Sequence, residues 1–256
     1  PPDFVGELTQ WINDQCLYPR ENLAVAAALC AVSSLAGMRY VDGLDNMSAN
    51  IIAFGVAGSG TGKEQILQSY LSIIKTAGVQ AALHGGFKSE QEVMRNLIRH
   101  QAAFYCIDEL GITLSKLQNA SKKGGASYLE GIVGLVMSVY SKANGYLPIT
   151  GDLKDDIKQK LIIEYAQVEK KLEKLAEDSS TETMRAKLAE AKEQIMLAIK
   201  SVDDGLENPY LTVLGFTTPV TFNDLMTFEQ ATNGFMARAM IFSDLETNPK
   251  RKPRFT

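Results

Sequence analysis

The stretch that decides the fold runs from residue 51 to residue 63 and reads Ile51-Ile52-Ala53-Phe54-Gly55-Val56-Ala57-Gly58-Ser59-Gly60-Thr61-Gly62-Lys63. A short apolar run ends in a glycine-rich loop, and a helical pattern of apolar residues follows it. Glycines let backbone N–H groups turn inward, and the amino end of a helix adds its dipole, so the loop predicts an anion cradle. Lys63 is expected to reach the β- and γ-phosphates of a nucleotide. The other predicted cradle residues are Gly58, Ser59, Gly60, Thr61, Gly62 and Glu64.

The loop departs twice from the strict phosphate-loop pattern GxxxxGK[ST]. Ala57 replaces the first glycine, which is a minor change. Glu64 replaces the serine or threonine whose hydroxyl usually holds Mg²⁺. The Glu64 carboxylate could ligate the metal instead, or the metal could rest on Asp108 and the phosphates. A glycine-rich turn without nucleotide is the alternative, but it leaves the position of Lys63 unexplained.

An acidic pair, Asp108-Glu109, follows the apolar run 103–107. Asp108 is predicted to hold the water shell of Mg²⁺, and Glu109 is predicted to polarise the attacking water as the catalytic base. Acidic pairs after apolar runs are common, and a cap at the start of a helix is the alternative. The spacing from the phosphate loop, with one strand and two helices between, favours the metal site.

Two further polar positions stand beside predicted strands. Thr217-Thr218 ends the fourth strand, and Thr218 is preferred over Thr217 as the side chain that senses the γ-phosphate. The alternative is an ordinary turn before Pro219. Arg238 precedes the last strand and is predicted to act on the γ-phosphate of a neighbouring subunit, the alternative being a surface arginine.

Taken in this order, these motifs resemble those of the additional-strand catalytic-glutamate ATPases, which include ring helicases of the RecA-like and AAA+ kinds. The segment 234–238, Gly-Phe-Met-Ala-Arg, is similar to the Gly-Leu-Leu-Ser-Arg-Phe arginine-finger motif of minichromosome-maintenance helicases. The chain outside residues 152–207 also resembles a P-loop family of phage and mobile-element replication proteins. The resemblance implies an ATP hydrolase that uses Mg²⁺, forms a ring, with a hexamer expected, and translocates on single-stranded DNA or unwinds DNA. A nucleotide-controlled helicase loader or assembly scaffold is the alternative.

The alternation of strands and helices predicts an α/β P-loop NTPase fold with a five-stranded, mainly parallel sheet. The predicted strands are 51–56, 79–83, 102–107, 210–216 and 239–242. The chain divides into a helical leader (1–46), the first part of the core (47–151), a helical-hairpin insertion (152–207), and the second part of the core with a basic tail (208–256).

Two apolar seams predict that the insertion is an antiparallel, coiled-coil-like helical hairpin. The first seam contains Leu161, Tyr165, Val168, Leu172 and Leu175, and the second contains Thr181, Met184, Leu188, Ala191, Ile195 and Val202. Charges of both signs cover the remaining faces, as on solvated helices. The hairpin, residues 152–204, could also dock another replication protein or gate DNA.

Composition limits the partners of this chain. With 256 residues and a net charge of −4, it is not a basic protein that coats nucleic acid. Local contacts with DNA are predicted at Lys122 and Lys123, on a glycine-rich loop, with a basic run at 250–254 as a weaker candidate. Three scattered cysteines and the lack of a long apolar segment favour a cytoplasmic protein with no membrane contact. Because the chain starts at Pro1, a longer parent polypeptide is expected.

Overall fold

The computed structural model describes residues 3–37, 40, 43, 47–115, 128–175, 182–229, 234–246 and 250. The helices are α1 (Phe4–Gln15), α2 (Glu21–Ala36), α3 (Lys63–Thr76), α4 (Glu90–His100), α5 (Tyr128–Ser141), α6 (Gly151–Lys174), α7 (Glu182–Asp204) and α8 (Pro219–Glu229). The strands are β1 (Ile52–Ala57), β2 (Leu83–His84), β3 (Ala102–Ile107), β4 (Tyr146–Leu147), β5 (Leu206–Glu207), β6 (Tyr210–Thr217) and β7 (Ala239–Asp244).

The main sheet has five strands in the order β2-β3-β6-β1-β7, and every pairing is parallel. Every residue of β1, β3 and β6 is buried, as expected for parallel strands covered by helices on both faces. The predicted α/β architecture with a five-stranded parallel sheet is therefore confirmed.

The second predicted strand, residues 79–83, is wrong in its bounds. Gln80–Ala82 forms a 3-10 turn, and β2 contains only Leu83 and His84. The cause is the end of α3, where Gly78 has a φ of 77° and donates to Lys75 O, while Val79 donates to Ile74 O. This pair of bonds is the Schellman motif, which holds the chain in a turn and delays the start of the strand.

The helical leader forms part of the core. α2 packs against β1, β6 and β7 on one face of the sheet, and its alanines allow a close approach. Ser33 Oγ lies 3.0 Å from Tyr210 Oη and 2.6 Å from Thr212 Oγ1, so the buried hydroxyls of α2 and β6 satisfy one another. α2 is therefore largely buried. The next apolar residue, Met38, lies outside the described residues.

The opposite face of the sheet carries α4, α5 and the base of the helical hairpin. Val93 of α4, Val136 of α5 and Leu161 of α6 belong to one buried cluster with β3 and β6. Ser89 caps α4 by accepting from Glu92 N at 3.0 Å, as the sequence predicts, and Glu92 accepts from Lys88 N.

α6 and α7 form the predicted antiparallel hairpin. Lys158 pairs with Asp203 near its base, and Glu169 pairs with Lys192 farther along. The antiparallel strands β4 and β5 pair the chain just before α6 with the chain just after α7. The first half of α6 and the second half of α7 form the base half of the hairpin. Among the hairpin residues that the structure describes, the buried ones all lie in this base half, and they are Ile157, Leu161, Ile195, Ala198 and Val202. The predicted seam fails at Met184, which is 57% exposed.

No helix in the described ranges is long and apolar enough to cross a bilayer.

Candidate functional site

The candidate site lies where three parallel strands end. β1 ends at the glycine-rich loop, β3 ends at the acidic pair, and β6 ends at the threonine pair. The register places Val56 beside Thr217 and Ile107 beside Gly215. Ligands of open α/β sheets bind outside the carboxyl ends of the strands. The fold therefore brings three of the four predicted motifs to one edge of the sheet.

The ammonium group of Lys63 joins the ends of β1 and β6. Its Nζ donates to Ala57 O at 3.1 Å and to Thr217 O at 3.3 Å. Burial lowers the pKa of Lys63, while the negative charges of Asp108 and Glu109 act on that pKa in the opposite direction. The lysine and the acidic pair thus share one electrostatic environment.

The loop has the backbone of an anion cradle. Gly60 and Gly62 have φ values of 70° and 94°, in the left-handed region that glycine enters without steric cost. Thr61 is buried and donates from Oγ1 to Gly58 O at 2.7 Å, which closes the loop on itself. Ser59 and Gly60 are exposed, so the tip of the loop is open to solvent.

The acidic pair forms the turn between β3 and a helical segment at residues 110–115. Asp108 accepts from Glu109 N at 3.0 Å, and Glu109 O accepts from Ile112 N at 2.9 Å. The Asp108 bond joins adjacent residues, whereas a capping side chain accepts from the second or third amide of a helix. Both residues are exposed. Glu109 has a φ of 55°, a conformation that costs a non-glycine residue about 1–2 kcal/mol. Strain of this kind gathers at functional sites.

The two threonines at the end of β6 have different surroundings. Thr218 Oγ1 accepts from Thr221 N at 3.4 Å and lies 3.0 Å from Thr221 Oγ1, so it caps α8. Thr217 is buried, and its Oγ1 has no hydrogen-bond partner in the described part of the chain. A Cβ at Gly111 would collide with Thr217 Oγ1, so this glycine makes room for the hydroxyl. The unpaired hydroxyl of Thr217 makes it a second candidate for contact with a ligand, beside Thr218, which the sequence ranks first.

Arg238 lies away from this edge of the sheet. It ends a 3-10 turn, is exposed, and donates from Nη1 to Gly234 O at 3.0 Å. The next residue pairs with Ile52 at the start of β1, whereas the phosphate loop follows the end of β1. Six residues of strand, about 20 Å, separate the two ends. Arg238 is therefore not brought to the site of its own subunit.

Two exposed carboxylates, Asp108 and Glu64, are the candidate metal contacts. The negative charge of Asp108 acts on Lys63 and raises its pKa against the effect of burial. Glu64 is exposed on the first turn of α3 and lines a groove of about 440 Å³ with Trp11 and Gln68. Within the described ranges, no group of three His, Cys, Asp or Glu side chains is placed to hold a metal ion.

One residue at this edge was missed by the sequence reasoning. Arg20 is fully buried, donates from Nε to Thr61 O at 3.0 Å, and pairs with Asp244 at 2.5 Å. In the sequence, Tyr18-Pro19-Arg20 has the pattern of a break between two helices. A charge beside a helix as apolar as α2 is the clue that could have identified it.

The residues predicted to contact DNA lie largely outside the described ranges. Lys122, Lys123 and residues 251–254 of the basic run are not among the described residues. Comparison of the chain with family models, curated proteins and solved structures found no match.

Proposed function

We propose that this chain is a P-loop ATPase that binds ATP with Mg²⁺ at the carboxyl edge of its sheet and works as a ring-forming motor on DNA. One observation carries the proposal. The ammonium group of Lys63 bridges the ends of β1 and β6 within the field of Asp108 and Glu109. An ammonium group beside a glycine-rich loop at a helix start is suited to the phosphates of a nucleotide.

Each residue has a chemical role in this proposal. Backbone N–H groups of residues 58–62 and the Lys63 ammonium group bind the phosphates. Glu109 takes a proton from water as the water oxygen forms a bond to the γ-phosphorus, and ADP leaves as the bond to the β-γ bridging oxygen breaks. Thr217 Oγ1 orients the water or the γ-phosphate. Asp108 would hold Mg²⁺, which would neutralise charge on the phosphate oxygens.

The order of the strands supports the assignment to the additional-strand class. β6 lies between β1, which carries the phosphate loop, and β3, which carries the acidic pair. An extra strand at this place is the feature to which the name of the class refers. Glu109 at the end of β3 would then be its catalytic glutamate.

The exposed edge of the sheet supports assembly into a ring. β7 is an edge strand, and its Met240 and Ile241 are 38% and 44% exposed. Parallel sheets are normally covered, and exposed edges tend to pair with other chains. A neighbouring subunit docked along this edge would meet Arg238, which could then complete the neighbour's site. A hexamer that translocates on single-stranded DNA is the proposed assembly.

The projecting hairpin favours a second candidate function. Its distal half has no buried residue among positions 162–174 and 182–194. Such an arm is suited to docking another replication protein, so the chain could be a loader or scaffold whose nucleotide controls assembly. The two functions differ in how DNA affects turnover.

The decisive experiment measures ATP binding and steady-state hydrolysis, with and without single-stranded DNA. Lys63→Ala is expected to weaken ATP binding at least about tenfold, which corresponds to 1.4 kcal/mol. Lys75→Ala is the matched control, because Lys75 is exposed at the other end of the same helix. If the chain is a motor, we expect DNA to stimulate ATP turnover about tenfold or more. If the chain is a loader, we expect slow turnover that DNA barely changes. A wild-type chain that binds no nucleoside triphosphate would overturn both candidates.

A further inference from the structure

A buried charge lies behind the phosphate loop. The Arg20 side chain has no exposed surface, although burial of a guanidinium group is costly unless it is paired and hydrogen-bonded. Its two partners lie far apart in the sequence. Nη1 pairs with Asp244 at the end of β7, and Nε donates to Thr61 O in the loop. The third nitrogen, Nη2, is buried and has no partner within the described ranges.

The segment that carries Arg20 packs along the outer side of the loop. Leu17 N donates to Gln65 Oε1 at 2.7 Å, which fixes the segment to the first turn of α3. A Cβ at Gly62 would lie 3.2 Å from Tyr18 Cβ and 3.3 Å from Tyr18 O. Lys63 Nζ contacts the ends of β1 and β6, whereas Arg20 pairs with Asp244 at the end of β7.

Peptide geometry links the Arg20 hydrogen bond to the cradle. The described peptide bonds are all trans, so the C=O of Thr61 and the N–H of Gly62 point in opposite directions. Because Arg20 holds the carbonyl oxygen on the outer side, the N–H of Gly62 points to the inner side. That is the direction in which an anion cradle needs its donors.

Glycine makes this orientation easy to lose. Gly60 and Gly62, with φ values of 70° and 94°, flank the Thr61 residue, and glycine visits other backbone conformations at little cost. A loop of this composition would sample orientations in which the 61–62 peptide is turned over. A rigid guanidinium fork anchored on Asp244 removes that freedom.

We infer that Arg20 is a positioning residue, which holds the 61–62 peptide with its N–H inward and so prepares the loop for a triphosphate. This inference rests on the proposed function. The ligand class is the polyphosphate chain, because the peptide that Arg20 orients belongs to the phosphate cradle. The helical leader is then a working part of the nucleotide site, and Asp244 connects that site to the exposed strand β7.

The test compares Arg20→Lys with wild type. Lysine keeps the charge but lacks the fork, so it cannot hold Asp244 and Thr61 O together. Calorimetric titration with ATP and with inorganic triphosphate, well below the melting temperature, is expected to show affinities weakened about tenfold or more. kcat at saturating ATP is expected to stay within about twofold of wild type. Arg185→Lys, at an exposed position of α7, is the matched control.

A merely structural role gives a different result. Arg20→Lys would then lower the melting temperature and leave both affinities unchanged, which would overturn the inference. Asp244→Asn is the second variant, since it leaves the Nε bond in place and removes the negative charge of the anchor, which reduces the ion pair to a neutral hydrogen bond. If Arg20→Lys does not fold, Asp244→Asn decides. A weaker triphosphate affinity supports the inference, and an affinity equal to that of wild type overturns it.

The proposed function and the inference fail in distinguishable ways. A wild-type chain that binds neither ATP nor inorganic triphosphate would remove both. Binding that is lost in Lys63→Ala and unchanged in Arg20→Lys and Asp244→Asn would remove the inference alone.

Discussion

Thr217 and Thr218 are adjacent in the sequence, yet they have different surroundings. Successive residues of a strand point to opposite faces, so one hydroxyl enters the packed interior while the next continues into the helix start. Thr217 lies buried against Gly111, and Thr218 caps α8. A buried hydroxyl without a partner is costly unless a ligand or water satisfies it.

Exchange of each threonine separates these roles. Thr217→Val conserves volume and removes the unpartnered hydroxyl, so we expect an unchanged or raised melting temperature with hydrolysis slowed about tenfold or more. Thr218→Ala removes a helix cap, so we expect a loss of about 1 kcal/mol of stability with near-normal hydrolysis. Calorimetry and steady-state ATPase assays check both variants. The reverse pattern would return the sensing role to Thr218.

At the scale of elements, the helical hairpin has two unlike halves. Ile157 and Leu161 of α6 belong to the same buried cluster as β3 and β6, whereas the distal half is exposed or partly exposed. Arg99 of α4 also pairs with Glu164, just beyond the buried part of α6, and fixes the hairpin to the core. With 24 residues, α6 is about 36 Å long, so the distal half extends beyond the core that its base covers.

Shortening the hairpin tests this division. Deletion of residues 170–190 with a short glycine linker joins positions that are already close, because Glu169 and Lys192 form an ion pair at 2.8 Å. We expect ATP binding and basal hydrolysis to be retained. Deletion of residues 153–204 uncovers the buried cluster, and we expect it to prevent folding. Circular dichroism and ATPase assays follow both changes. Loss of hydrolysis in the short deletion would assign the arm to the catalytic cycle.

Two histidines at the ends of β2 and α4 predict how stability depends on pH. Burial lowers the pKa of His84 and of His100 below their ordinary value of 6.5. The unfolded chain therefore takes up protons first as the pH falls through this value, and the folded state loses stability.

A double variant isolates this effect. The melting temperature of wild type is expected to fall between about pH 7.5 and 5.5, and that of the His84→Gln, His100→Gln variant is expected to fall less. Both proteins carry the same carboxylates, so the titration of acidic groups cancels in the comparison. Equal falls in the two melting temperatures would show that the two imidazoles do not contribute to the pH dependence of stability.

At the scale of the whole molecule, the edge strand β7 has exposed side chains against which a second subunit could dock. Arg238 and the exposed β7 residues Met240 and Ile241 share one edge of the sheet, at the opposite end of the strands from the phosphate loop. A head-to-tail contact that repeats around an axis can bring this edge to the next subunit's site. The proposed ring follows from that arrangement.

Mixing inactive subunits tests action across an interface. Arg238→Ala and Glu109→Gln are each expected to lower hydrolysis about a hundredfold or more. In an equal mixture, about a quarter of the sites would combine an intact Glu109 with an intact Arg238 from the neighbour, so activity is expected to return in part. A mixture of Glu109→Gln with Lys63→Ala is the control, because both changes damage the subunit's own pocket. No recovery in the first mixture would place Arg238 outside the reaction.

Much of the fold and part of the candidate site are encoded locally and could be predicted from the sequence. The order of apolar run, glycines and Lys63 predicts a strand, a loop and a helix start, and Ser89 with Glu92 predicts a cap. These features depend on neighbouring residues, whose preferences act over a few positions. The seams of the hairpin are equally local, since residues three and four apart share a helix face.

The tertiary structure decided what depends on contacts between distant residues. Arg20 meets Asp244 across 224 positions, Thr217 faces Gly111, and both hairpin helices contact α4. Whether a side chain is buried or paired depends on the residues that the fold places beside it, and sequence spacing does not specify those residues. For this reason the glycine-rich loop could be predicted from its own residues, whereas the contacts of Arg20 could not.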